Sequence, residues 1–506
     1  MIFDIFQLVH SLTKAEKRYF QRLASIHVIG EKNNYLKLFE VLNRQKQFNE
    51  PAIAKEFSGQ HLYLLKRHLQ KSLLKSLRTF HSASSVTIQI HTMINEVEVL
   101  YKKGLIKAAL KLVHHAKKIA LRQEQHLAIM QLLEWEIKLL SIPQELVRVH
   151  GKIIHAFKEE EDQIEHYKNF LNCFRFRMNV SAMHTKEIII HKSDEEDEQK
   201  KLKNELKKLS ARKLSSKAQW ELYNGAGTFY STFGNYAQAG IYHKEAAQIA
   251  EKKNFLLRDE LRQYFVSFYS ESINCYYLKK YDEALGNLKI LKNMFSSLSS
   301  SANKKNIREL YLRSLLLEGF ILMDMGDYKS ALPAIHELNR HMHADVDFIT
   351  STFRNDFYYQ QTGYWFCTGK FHQSYSWLAK MLQHEDAPKE NPARYRFARL
   401  MQLMILLELN EFREIENLLP ATKKFLKKKD KNFKIEESIF DFISGYVRSK
   451  ELHSEKYQSE KFTELKMKLI RIAKDKKEAA AFQIFDYVKW AEAKRGNKAI
   501  SQLYVK

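Results

Sequence analysis

Apolar residues recur along this chain at three- and four-residue steps, from its first helix-sized segment to its last. That spacing lays one apolar stripe along an α-helix and predicts an all-α fold. Thr13-Lys14-Ala15-Glu16 fits a capping box, in which residues 13 and 16 bond each other's amides, and the helix behind it carries Tyr19, Phe20 and Leu23 on one face. Tyr35 to Arg44 follows, with Leu36, Phe39 and Leu42 at helical spacing. Asn49-Glu50-Pro51 marks a third start, since proline is tolerated in a first turn, and this short helix ends near Phe57-Ser58-Gly59. From about His61 to Phe80, Leu62, Leu65, Leu69, Leu73 and Leu77 form a long stripe. Residues 1–82 therefore read as an N-terminal helical unit.

Residues 83–212 are helical but irregular, with helices expected at Val97–Leu121, Glu124–Leu140, Gln144–Lys158 and Glu161–Val180. Residues 193–208 mix charges of both signs and read as an exposed linker or helix end. Residues 421–506 continue helical, with a stripe at Leu465, Leu469 and Ile472 and a second region rich in Phe482, Phe485, Val488 and Trp490, and are expected to cap what precedes them.

Between these parts a phrase recurs. Gly234-Asn235-Tyr236-Ala237-Gln238-Ala239 returns as Lys279-Lys280-Tyr281-Asp282-Glu283-Ala284, as Gly326-Asp327-Tyr328-Lys329-Ser330-Ala331, and more weakly as Gly369-Lys370-Phe371-His372-Gln373-Ser374. The aromatics are separated by 45, 47 and 43 residues, a period that signifies stacked copies of one supersecondary unit. Each phrase is preceded by a bulky, a small and an aromatic or apolar residue: Tyr223, Ala226 and Tyr230; Phe268, Ser272 and Cys275; Leu315, Gly319 and Leu322; Tyr358, Thr362 and Trp365. Residues 213–420 thus resemble the tetratricopeptide family of helical hairpins in a long-repeat form. Their period exceeds 34, and Glu251 stands where the closing proline would fall in the best copy.

The resemblance implies a right-handed α-solenoid whose first helices line a concave groove for a protein, peptide or helix. By repeat position, the implied groove residues are Asn224 and Thr228, then Tyr269, Ile273 and Tyr276, then Arg313 and Phe320, then Tyr359 and Phe366. Tyr and Arg concentrate binding energy at interfaces. The leading expectation is a non-catalytic interaction or scaffold protein.

Charge supplies the alternative. Lys and Arg exceed Asp and Glu by 24, which suits an acidic partner such as nucleic acid, although the charges are scattered rather than gathered in one block. The helices at 51–57 and 61–80, joined by Ser58-Gly59-Gln60, have the order of a helix-turn-helix, with His61, Tyr63, Lys66, Arg67 and Lys71 as the possible DNA contacts. A regulator with a DNA-binding N-terminal unit and a repeat sensor is therefore the second expectation. The lysines at 423, 424, 427, 428, 429, 431 and 434 read as a solvated charged turn.

Catalytic and metal signatures are weak. His114 and His115 are adjacent and diverge on a helix, while His341, His343, Asp345 and Asp347 converge only in an extended segment. No phosphate-binding loop, zincin motif or nucleophile elbow occurs, and no cofactor is expected. Cys173, Cys275 and Cys367 are far apart and suggest neither disulfides nor zinc, which fits a reducing cytoplasm. No run approaches the roughly 18 apolar residues of a membrane span. Partner identity and oligomeric state are not written in these patterns.

Overall fold

Helical periodicity becomes helices wherever the structure, a computed structural model, describes the chain. The described residues are 5–26, 34–57, 61–81, 85–142, 146–187, 195–252, 261–298, 301–344, 349–383, 392–427, 434–449, 454–475, 478, 482 and 485–504. No strand occurs among them. The fold is all-α and built from successive helical hairpins. The chain divides into two compact units, one comprising 1–184, 191–274 and 292–308, the other 185–190, 275–291 and 309–506. The division falls inside the repeat stretch.

The first unit begins with α1 (Ile5–Ser11), α2 (Lys14–Ile26), α3 (Asn34–Arg44), α4 (Glu50–Glu56) and α5 (Leu62–His81). The capping box forms at the start of α2: the Glu16 amide donates to Thr13 Oγ1 at 3.2 Å, and the Thr13 amide donates to Glu16 Oε2 at 2.6 Å. Asn49 caps α4 by accepting from the Ala52 amide at 3.0 Å. Val9, Phe20, Leu38, Phe39, Leu42, Ile53, Leu69 and Leu73 close a core between these helices. Next come α6 (Val86–Lys102), α7 (Ile106–Arg122) and α8 (His126–Leu140), where Ala109, Ala116 and Ala120 let α7 pack closely under Val97, Ile129 and Leu132.

Two expectations change here. The helices foreseen at 144–158 and 161–180 are one helix, α9 (Leu146–Glu187), because Glu159 and Glu160 at the supposed junction favour helix and nothing breaks it. The charged segment 193–208 is not a linker from 195 onward: it forms α10 (Glu195–Ser210), whose Leu202, Leu206 and Leu209 bury against Cys173, Phe176 and Val180 of α9. Three leucines at helical spacing outweigh the charges around them.

The repeats supply α11 (Ser216–Thr232), α12 (Tyr236–Lys252), α13 (Leu261–Tyr277), α14 (Tyr281–Ser297), α15 (Ser301–Asp324), α16 (Tyr328–Ala344), α17 (Ser351–Cys367) and α18 (Phe371–Leu382). They are followed by α19 (Pro392–Glu408), α20 (Phe412–Lys427), α21 (Lys434–Val447), α22 (Glu455–Ile472), α23 (Tyr487–Arg495) and a 3-10 turn, Ile500–Leu503. Each recurring phrase is a hairpin turn. Gly234, Lys279, Gly326 and Gly369 all have positive φ, between 58° and 82°, and the next amide bonds back to the last turn of the preceding helix. Glycine fits that left-handed backbone without strain. Asn410, with φ of 60°, and the 2.9 Å bond from the Glu411 amide to the Leu406 carbonyl make α19–α20 a further copy of the same hairpin.

Small residues set the spacing within a hairpin, at Gly227, and between successive hairpins, at Gly319. A Cβ at Gly227 would stand 2.5 Å from the His243 ring, and one at Gly319 would stand 2.6 Å from Gln360 Nε2. Within the second unit, Phe462, Leu465 and Leu469 of α22 and Trp490 of α23 are buried, so the predicted C-terminal stripes join the core.

Candidate partner-binding surfaces

The first helices of successive hairpins touch one another through residues roughly one repeat apart. In the first unit Trp220 Nε1 of α11 donates to Ser267 Oγ of α13 at 2.7 Å. In the second unit the Tyr276 hydroxyl donates to Asp324 Oδ2 of α15 at 2.8 Å, and Gln360 Nε2 of α17 donates to the Leu316 carbonyl at 2.5 Å. Rings continue the ladder: Phe320 packs on Tyr359 with centroids 5.9 Å apart, and Tyr359 on Phe397 of α19 at 5.3 Å. These are the contacts a stack of hairpins requires.

The groove residues expected from sequence divide into two classes. Thr228, Tyr269, Ile273, Tyr276, Arg313, Phe320 and Tyr359 are half-buried and keep part of their surface in solvent. Arg313 pairs with Glu309 at 3.0 Å and lies over the Phe353 ring. Burial, reinforced by Asp324, raises the Tyr276 hydroxyl pKa, and burial also raises that of Asp324, so the pair is a neutral donor on a reluctant carboxylate. Asn224 and Phe366 are buried and offer no open surface. Asn224 is buried and donates to the Trp220 carbonyl one turn back, while Phe366 is a core residue between Phe371 and Phe485. The helix periodicity that selected them spans a wider arc than the exposed strip.

In the second unit one end of this ladder, at Phe397, is covered by the chain itself. Phe485 packs on both Phe366 and Phe397 at 5.7 Å, Tyr487 on Phe397 at 6.3 Å, and Tyr504 on Tyr328 at 6.0 Å. A Cβ at Gly326 would strike the Tyr504 ring at 2.0 Å. Trp490 Nε1 and Lys494 Nζ anchor the segment on the two oxygens of Glu408, at 2.9 and 2.8 Å. Residues 485–504 are expected only to cap the array, yet they also pack on Phe366 of α17, Phe397 of α19 and Tyr328 at the start of α16. Sequence gave no signal for this, since the contacts are long-range and without period.

On α5 the solvent face carries Tyr63, Arg67, His68, Lys71, Lys75 and Arg78, with His61 exposed just before it, and no acidic residue occurs anywhere in the helix. Lys66 is a correction: it is buried, with its ammonium bonded to Glu50 and over the Phe48 ring, and so cannot reach a partner's phosphate. The connection at residues 58–60, on which the helix-turn-helix reading depends, lies outside the described residues. Along the lysine-rich run, 428, 429 and 431 also lie outside, and Lys434 pairs with Asp475 at 2.9 Å.

The histidine and cysteine chemistry is structural. His114 and Lys117 share Glu136, and His341 packs edge-on against Tyr311; 345 and 347 lie outside the described residues. Among the described residues no three metal-ligating side chains converge. All three cysteines are buried thiols outside any disulfide, and burial pushes the thiols of Cys173 and Cys367 up to about 12, far from a reactive thiolate. Clefts of about 240 and 260 Å³, beside Arg399 and beside Arg396–Glu436, are smaller than the roughly 300–1,000 Å³ of small-molecule sites. No described helix is long and apolar enough to cross a membrane.

No protein-family profile matches the chain, and no curated protein sequence is significantly similar to it. Among solved structures it is similar to the apo form of the quorum sensor NprR from B. thuringiensis. That match has a TM-score of 0.40 and 13% sequence identity, covering 70% of this chain and 95% of that one.

Proposed function

We propose that this protein is a non-catalytic, cytoplasmic interaction protein whose stacked first helices take a peptide or helix from a protein partner. The observation that carries the reading is the seat of residues 485–504. A largely helical segment of the chain, bearing Phe485, Tyr487 and Tyr504, already packs on Phe366, Phe397 and Tyr328, which supports a surface that accepts a peptide or helix of aromatic character. In the first unit the corresponding strip offers Thr228, Tyr269 and Ile273 half-exposed. Aromatic anchors flanked by polar groups are what such interfaces use. Affinity capture from native lysate with the wild-type chain and with a Tyr269→Ala/Ile273→Ala variant tests this. The variant is expected to lose the principal protein partner about tenfold or more, at unchanged helicity, since such contacts each contribute about 1–2 kcal/mol. Equal recovery by both chains removes the strip from the account.

A second reading, nucleic-acid binding by the N-terminal helices, is favoured by the acid-free basic face of α5. The same pattern repeats forty residues on. Lys107, Lys111, His115 and Lys118 stand on the solvent face of α7 as Arg67, Lys71, Lys75 and Arg78 do on α5, and α7 also lacks acidic residues. Steps of three and four residues place these groups about 4.5–6 Å apart along each helix, a basic row of the kind that neutralises backbone phosphates. Fluorescence anisotropy with a labelled duplex, read against salt, is the measurement. Arg67→Glu with Lys71→Glu is expected to weaken binding at least tenfold and to lower the salt slope by about two. An unchanged slope excludes α5.

A further inference from the structure

A row of exposed apolar side chains lies on α9, apart from the surfaces above. Phe157, Ile164, Leu171 and Met178 follow at seven-residue steps, with Ile154 and Phe174 beside them, and all six are exposed, Ile154 and Ile164 by more than half. They run about 36 Å along the helix at 1.5 Å per residue. Taking roughly 200 Å² per side chain, they leave on the order of 500 Å² of apolar surface in water, a size at which surface patches have partners. The opposite face of α9 is already committed, through Cys173, Phe176 and Val180, to the core with α10 and α11.

A seven-residue repeat is the period of a seam between two helices. The second position of this seam supplies the direction. Four residues beyond Phe157, Ile164 and Leu171 stand Glu161, Lys168 and Arg175, all exposed, so the seam is acidic toward one end and basic toward the other. Two such helices side by side in parallel would set Glu161 against Glu161, Lys168 against Lys168 and Arg175 against Arg175. Reversed, and centred near residue 166, they bring Ile154 of one copy to Met178 of the other and place each Glu161 between the opposite Lys168 and Arg175. Like charges facing across a seam disfavour pairing and opposite charges select it.

We infer that α9 pairs antiparallel with α9 of a second copy of this chain. The Glu165–Lys168 contact within the helix, 3.8 Å, is exposed and offers little competition. The pairing needs no change in either copy, because its residues already stand on one face.

Sedimentation equilibrium of the full chain, from about 1 to 100 µM, tests this. The expected result is a reversible monomer–dimer equilibrium that Ile164→Glu with Leu171→Glu weakens at least about 100-fold at unchanged far-ultraviolet circular dichroism. Glu161→Lys, which makes all three seam charges positive, is expected to weaken self-association about tenfold. Mixing it with a Lys168→Glu/Arg175→Glu chain, weakened in the opposite sense, is expected to restore a one-to-one dimer. A wild-type chain that stays monomeric throughout this range overturns the inference and leaves the stripe to a different protein. A dimer that survives Ile164→Glu/Leu171→Glu overturns it as well, since the interface then lies elsewhere.

Discussion

Replacing Glu436 with alanine is expected to lower the stability of the second unit by about 3–5 kcal/mol, the largest loss anticipated from one side chain here. Arg396 on α19 and Glu436 on α21 are both under 9% exposed, and the guanidinium meets the carboxylate in a forked arrangement, with Nε 3.1 Å from each oxygen. The remaining donor Nη1 reaches the Leu426 carbonyl at 3.3 Å. Alanine would leave the guanidinium buried without its counter-charge, and desolvation then goes uncompensated. Urea unfolding followed by tryptophan fluorescence measures the loss. The pair need not be favourable in itself, so Arg396→Met with Glu436→Leu should recover much of the stability lost in the single variant. A single variant within about 1 kcal/mol of wild type would show that water reaches the site.

Acid is expected to weaken the first unit through His243. This ring is 4% exposed, faces the bare Cα of Gly227, and has no hydrogen-bond partner at Nδ1. Burial lowers its pKa from 6.5 to about 4. Because the folded pKa is depressed, the folded chain holds the neutral ring while the unfolded chain takes up a proton below pH 6.5. The contribution is therefore complete above pH 6.5, falls as pH drops toward 4, and reaches a loss of about 3 kcal/mol there, from 1.36 kcal/mol per unit. Burial lowers His126 too, so the total slope has more than one source. The specific measurement is the difference between wild type and His243→Leu in unfolding free energy at pH 7 and pH 4.5. A flatter profile in the variant is expected, and parallel profiles would show that the ring is charged or solvated when folded.

The parts of this fold that were legible in the sequence are those set by short-range requirements. A hairpin turn that needs positive φ recruits glycine, so Gly234, Gly326 and Gly369 announced three turns. Asn410 makes the same turn and went unread, because asparagine with Phe412 in place of glycine with tyrosine breaks the phrase while keeping its geometry. The capping residues Thr13 and Asn49 were equally local and equally readable. Facing was less so. Asn224 lies on the correct helix but points inward, since helical spacing defines a stripe only to within about one position, and Phe366 is closed off by Phe485. Lys66 reads as an exposed cation from its neighbours alone, but Glu50, sixteen residues away, holds it. Nothing in the local sequence of Phe485 or Tyr504 marked them as partners of Phe366 and Tyr328, more than a hundred residues upstream.

That last separation sets an order in time. Phe366 is synthesised 119 residues before Phe485, which covers it. At about 5–20 residues per second, the aromatic face of α17 stands without its cover for roughly 6–24 s while the ribosome completes the intervening helices. Helices form in microseconds or less, so synthesis, not helix formation, sets the length of that interval. The growing chain thus passes through a stage in which Phe366 has been made and the residue that covers it has not, and anything able to hold aromatic segments has its opportunity then.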